Sequence, residues 1–122
     1  MEYGWIEIGE AFGGHSGLFR IEGFHEKPSL PLAQALFRSG CLWNTFVMVG
    51  HVNAFLEMAW ATVPRLMRVL ESMEVRAYPG AEVRIPDSAY AQIALTDFSR
   101  SVVALASDSL LAFRLNNIEW ND

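Results

Sequence analysis

Short runs that alternate between strand-like and helix-like spacing, separated by glycine and proline, limit most strongly what this chain can fold into. Tyr3-Gly4-Trp5-Ile6-Glu7-Ile8 near-alternates β-branched and aromatic residues with polar ones, the pattern of a strand. Gly9 to Gly17 reads as a glycine-rich loop. A second extended run, Leu18 to Glu26, should stop at Lys27-Pro28, because proline cannot donate to a ladder. Ser29 suits a helix N-cap and Pro31 its first turn, Leu32, Ala35 and Leu36 share a face, and Gly40 closes the helix. Trp43 to Val49 is a continuous apolar run that reads as a buried strand ended by Gly50.

The second half follows the same logic. Phe55, Leu56 and Ala59 repeat at helical spacing between Val52 and Ala61, and Pro64 opens a further helix with Leu66, Met67, Val69 and Leu70 on its apolar face. Residues 74–88 hold Pro79-Gly80 and Pro86 and read as loop or short turns. Asp97 can cap a helix through about Ala106, with Phe98, Val102 and Leu105 inward. Leu110 to Leu115 reads as a last strand, followed by an Asn116-Asn117 turn and Ile118 to Asp122. Strands interleaved with helices predict an α/β fold, a mixed sheet with helices packed on it. At 122 residues the chain makes one domain or one part of a larger one. It enters a strand at once and stops after a Trp-Asn-Asp turn, so residues 1–122 read as a piece of a domain.

Composition removes several function classes. Nine basic residues against fourteen acidic ones give a net charge of −5, which argues against broad electrostatic binding to nucleic acid. No run approaches the ~18 apolar residues of a membrane span, and no signal-peptide pattern opens the chain. Cys41 is the only cysteine, so an internal disulfide or a cysteine-rich zinc site is excluded. A reduced, cytoplasmic setting fits that usage. The chain is nevertheless 52% hydrophobic, and Trp5, Ile6, Phe46, Val47 and Phe113 fall on predicted strands that need covering. Self-association, most simply as a symmetric dimer, is therefore expected.

Few residues carry chemistry on spacing alone. Lys27, the only lysine, follows Glu26 at a predicted strand end, where α/β sheets place ligands. An ammonium suits a phosphate and a carboxylate suits sugar hydroxyls, yet the same pair also fits a solvated surface ion pair. Asn44 offers a donor and an acceptor to a hydroxyl-rich ligand, or satisfies a turn beside a core Trp43. Asp122 could hold a hard cation or lie in solvent. His15, His25 and His51 lack metal-ligand spacing, and Ser16 and Ser99 lack a nucleophile context. Gly13 to Gly17 is rich in glycine but without the lysine of a phosphate loop, and reads as a hairpin loop.

Taken in order, Tyr3-Gly4-Trp5-Ile6-Glu7, Phe24-His25-Glu26-Lys27-Pro28, Trp43-Asn44-Thr45-Phe46, Asp97-Phe98-Ser99-Arg100 and Ile118-Glu119-Trp120-Asn121-Asp122 span almost the whole chain. Together they resemble the sugar-phosphate half of the sugar-nucleotide pyrophosphorylases, the mannose-1-phosphate guanylyltransferase family most closely. The resemblance implies part of a Rossmann-like nucleotide-diphospho-sugar transferase fold. It implies backbone approach to the sugar at Gly4, sugar hydroxyls on Glu26, phosphate on Lys27, sugar contact at Asn44 and a Mg²⁺ ligand at Asp122. The partners it implies are a sugar 1-phosphate, mannose 1-phosphate first, and a nucleoside triphosphate held by a part not in this sequence. Two departures accompany it. Thr45-Phe46 stands where the family favours Ser-Gly after Trp-Asn, and the family's glycine-rich nucleotide signature and second metal aspartate are missing from this sequence. The expectation is a fragment of a sugar-1-phosphate nucleotidyltransferase that is inactive alone; the rival is a non-catalytic sugar-phosphate-binding or self-associating module.

Overall fold

The computed structural model describes residues 3–73 and 86–117. Strand β1 (Trp5–Ala11) turns back into β2 (Leu18–His25), and their antiparallel pairing is the centre of the molecule. Helix α1 (Leu30–Arg38) follows, then the two-residue strand β3 (Leu42–Trp43). Helices α2 (Val52–Thr62) and α3 (Pro64–Ser72) come next, then the single turn α4 (Asp87–Tyr90). A π-helical turn over Ser99–Val103 and a 3₁₀ turn over Ser107–Ser109 lead into β4 (Leu111–Phe113). The sheet order is β3-β1-β2-β4, with every pairing antiparallel. The protein is thus mixed α/β: a four-stranded, curled antiparallel sheet with several helices.

The hairpin extends further than the sequence suggests. Gly9, Glu10 and Ala11, expected in the loop, belong to β1, and the register shifts between Glu7 and Ile8 and again between Ile8 and Ala11. Such bulges sharpen the twist of the strand. At Gly9 the Glu22 side chain fills the space of a Cβ, so only glycine lets the strand continue without moving that carboxylate. The turn closes through Phe12 N–H to Leu18 O at 2.8 Å, and Gly13 and Gly14 take φ of +61° and +71°. These are left-handed values that glycine adopts at little cost, as the hairpin reading requires.

Helix α1 ends as its sequence predicts. Gly40 stands at φ +81°, with Gly40 N–H bonded to Phe37 O (3.1 Å) and Cys41 N–H to Leu36 O (3.0 Å). This is the paired arrangement of a Schellman motif, which satisfies carbonyls the last turn would leave open. The Ser29 hydroxyl does not cap the helix; its carbonyl accepts from Ala33 N–H instead. Ala33 and Leu36 turn onto Trp5, and Cys41 packs against the three. Trp5 is 2% exposed, so its expected exposure on an open strand is corrected: α1 covers it. Removing about 200 Å² of indole surface from water contributes at most roughly 5 kcal/mol.

Three further expectations are revised. The strand over Trp43–Val49 is reduced to Leu42–Trp43: Asn44 N–H still bonds Gly4 O, and no strand among the described residues pairs with residues 45–49. The helix after Asp97 is a π turn, not an α-helix through Ala106; Asp97 does cap it, Oδ1 accepting from Arg100 N–H at 3.1 Å. The last strand covers Leu111–Phe113 rather than 110–115. Helix α2 also meets the π turn, and Met58 on the one and Val102 and Val103 on the other are buried. Ile118 to Asp122, and most of the loop expected over 74–88, lie outside the described residues. No helix among the described residues is long and apolar enough to cross a membrane.

Candidate functional site

Three separate segments meet where β1 begins. Asn44 N–H donates to Gly4 O at 2.9 Å, so the residue after β3 is fixed to the residue before β1. Trp5 lies opposite both Trp43 and His25, which brings the end of β2 to the same place. The chain then leaves β2 through Glu26, and its carboxylate folds back over Gly4: a Cβ there would stand 3.1 Å from Glu26 Oε2 and 2.9 Å from Phe24 Cζ. Gly4 is therefore needed for close approach. The space it frees is taken by Phe24 and Glu26 rather than left for a ligand.

The Glu26 carboxylate is the unusual group of this site. Its Oε2 is buried and has no hydrogen-bond partner among the described residues. An oxygen of that kind costs stability unless something donates to it. Lys27, next along, is exposed and stands at φ +45°. Left-handed backbone in a residue with a long side chain is uncommon and disfavoured by roughly 1–2 kcal/mol. The conformation turns the chain sharply into Pro28, which is buried. No Glu26–Lys27 ion pair forms: Lys27 is exposed at the strand end while Glu26 Oε2 is buried.

Asn44 satisfies a turn, its Oδ1 accepting from Phe46 N–H at 3.0 Å, but the Trp43 beside it, expected in the core, is exposed. The carboxamide NH₂ makes no hydrogen bond among the described residues and remains a donor. Phe46, in the place where the resemblance favours glycine, is itself at φ +60°. The backbone keeps the glycine-like shape despite the side chain, whose ring packs 6.3 Å from that of Phe98. The structure thus brings Gly4, Glu26 and Asn44 together, with Lys27 adjoining. Asp122 lies outside the described residues.

Among the histidines, His25 enters a contact on the sheet. His25 Nε2 and Glu7 Oε2 are 3.3 Å apart on the sheet, an approach permitted by Gly23 directly opposite Glu7. No three His, Cys, Asp or Glu side chains among the described residues stand close enough to hold a metal ion. Spacing did not reveal the surroundings of Trp5. A shallow groove of about 330 Å³ beside the site is lined by Trp5, Ala33, Phe37, Arg38 and Trp43 among others. Trp5 meets Trp43 at 5.7 Å and Phe37 at 6.4 Å between ring centroids, both edge to face. None of Gly4, Glu26, Lys27 and Asn44 lines this groove. Its only sequence signal is the tryptophan beside each of Gly4 and Asn44.

Comparison with known protein families and with curated proteins finds no match to this chain.

Proposed function

We propose that this chain is a sugar 1-phosphate-binding unit of the sugar-nucleotide pyrophosphorylase type, closest in kind to mannose-1-phosphate guanylyltransferase. One observation carries the reading. Gly4, Glu26 and Asn44, chosen from three motifs far apart in sequence, sit together, and Glu26 Oε2 there is buried without a donor. The hydroxyls of a sugar are donors of the kind that oxygen lacks, and they reach it once the Glu26 side chain turns away from Gly4. The Asn44 NH₂ would give a hydrogen bond to a sugar oxygen, since its Oδ1 is already engaged. The exposed Lys27 ammonium would neutralise the phosphate by a charge-assisted contact.

Under this reading the antiparallel hairpin and β3 form part of a larger Rossmann-like transferase domain. The whole enzyme would join a sugar-1-phosphate oxygen to the α-phosphorus of a nucleoside triphosphate and release pyrophosphate. Mg²⁺ would neutralise phosphate charge there. Asp122 is the ligand the motif order nominates, and the described residues supply no metal set of their own. The nucleotide signature is missing from this sequence, so binding without turnover is the expected behaviour.

Calorimetric titration with mannose 1-phosphate, mannose and inorganic phosphate tests this, alongside a pyrophosphate-release assay with GTP and Mg²⁺. The expected result is binding of the sugar phosphate ahead of either part alone, and no pyrophosphate. Lys27→Ala should weaken the sugar phosphate roughly tenfold or more while leaving free mannose unchanged. Absence of sugar-phosphate binding, or equal loss for both ligands, would refute the assignment.

A further inference from the structure

Three non-glycine residues among those described stand at positive φ: Lys27, Phe46 and Asn117. Two of them border the site, Lys27 directly after Glu26 and Phe46 two residues after Asn44. Strain of this kind collects at ligand sites, where surrounding structure holds it in place. At Phe46 both its effect and its support are visible.

Asn44 is anchored by its own N–H on Gly4 O at 2.9 Å, and its Oδ1 accepts from Phe46 N–H at 3.0 Å. A carboxamide can turn end for end, exchanging its acceptor oxygen for its donor nitrogen. An N–H partner removes that freedom, because only the oxygen accepts. While Phe46 N–H is in place, the Asn44 NH₂ faces away from the turn. That N–H is aimed by a backbone at φ +60°, a conformation that residues with a Cβ resist and glycine does not. The Phe46 ring lies 6.3 Å from that of Phe98, tilted by 56°. An aromatic pair at such a separation contributes about as much as left-handed strain costs. Phe98 is itself held, since it leads into the π turn that Asp97 caps and that helix α2 contacts.

We infer that Phe98 is a positioning residue for Asn44, acting through the Phe46 ring and backbone to present the carboxamide NH₂ as the donor of the site. That this donor serves a sugar oxygen rests on the sugar 1-phosphate reading; that Phe98 sets its direction rests on the turn alone. Neither ring need touch a ligand. Both matter through the backbone angle of residue 46.

Titration with mannose 1-phosphate and NMR amide exchange of the ligand-free protein test the two parts separately. Asn44→Ala should weaken binding about 5–10-fold, the worth of one hydrogen bond. Phe98→Ala should weaken it by a similar factor, and so should Phe46→Val, because a β-branched residue avoids positive φ. Adding Phe46→Gly to Phe98→Ala should restore the affinity to within about twofold of wild type, since glycine keeps the angle without the ring. Damage to packing at Phe98 would not be repaired by deleting a second ring. In the ligand-free protein the residue 46 amide should exchange roughly fivefold faster or more, against its intrinsic rate, in Asn44→Ala and in Phe98→Ala. Phe46→Gly should return that rate to the wild-type level in the Phe98→Ala protein. This exchange pattern without any binding of mannose 1-phosphate would sustain the positioning role and refute the sugar 1-phosphate reading alone. Unchanged exchange in Phe98→Ala, or no rescue by Phe46→Gly, would overturn the inference.

Discussion

Lys27 is held in a conformation that works against the stability of the fold, and it has no side-chain partner among the described residues to offset that cost. Backbone strain that persists without a structural return points to function. Lys27→Gly separates the two roles. Relief of left-handed strain, roughly 1–2 kcal/mol, should exceed the ~0.5–1 kcal/mol that glycine loses in chain entropy. The variant should therefore melt a few degrees higher in a thermal scan while binding sugar phosphate more weakly. A lower melting temperature would mean that the ammonium stabilises the fold. The preference of Lys27 for a strand end was legible, because proline marks that end; its backbone conformation was not, because nothing local demands it. The turn role of Asn44 was legible as one of two readings, and the Glu7–His25 contact was hidden, since it depends on which residues the register places opposite one another.

Elements with their own punctuation were readable, and those needing a distant neighbour were not. Helix α1 carries its start and stop in Pro31 and Gly40, and structure and sequence agree on it to within a residue. Gly40→Ala tests the stop. Nothing lies within 4 Å of a Cβ placed there, so its penalty is conformational alone. A loss of about 1 kcal/mol is expected, read as a lower urea midpoint with an unchanged m-value. A neutral result would show that the Schellman bonds survive in another geometry. The run after Trp43 carries every compositional mark of a strand and still fails to become one beyond two residues. Composition states that the segment suits a sheet; only a neighbouring backbone makes it a strand. The interleaved strands and helices suggested a mixed sheet with packed helices, whereas a hairpin and two returning strands make every pairing among the described residues antiparallel.

Across the whole molecule the sheet is assembled from contacts of very different range. β1 and β2 are joined by a short turn, while β4 reaches β2 through only Leu18–Phe113, Phe19–Ala112 and Arg20–Leu111. Native-state hydrogen exchange should show that difference. The Arg114 amide, bonded to Gly17 O at 2.7 Å, should exchange through a smaller opening than the amides of Trp5 and Ile6, which have strands on both sides. Equal protection at both places would mean that the sheet opens as one unit. The same asymmetry has a consequence for the ribosome-bound chain. Phe113 lies 88 residues beyond His25, and at ~5–20 residues per second its synthesis follows by roughly 4–18 s. For that interval the nascent hairpin presents a bare outer edge, long enough to pair with a neighbouring chain on the same messenger before its own last strand has been made.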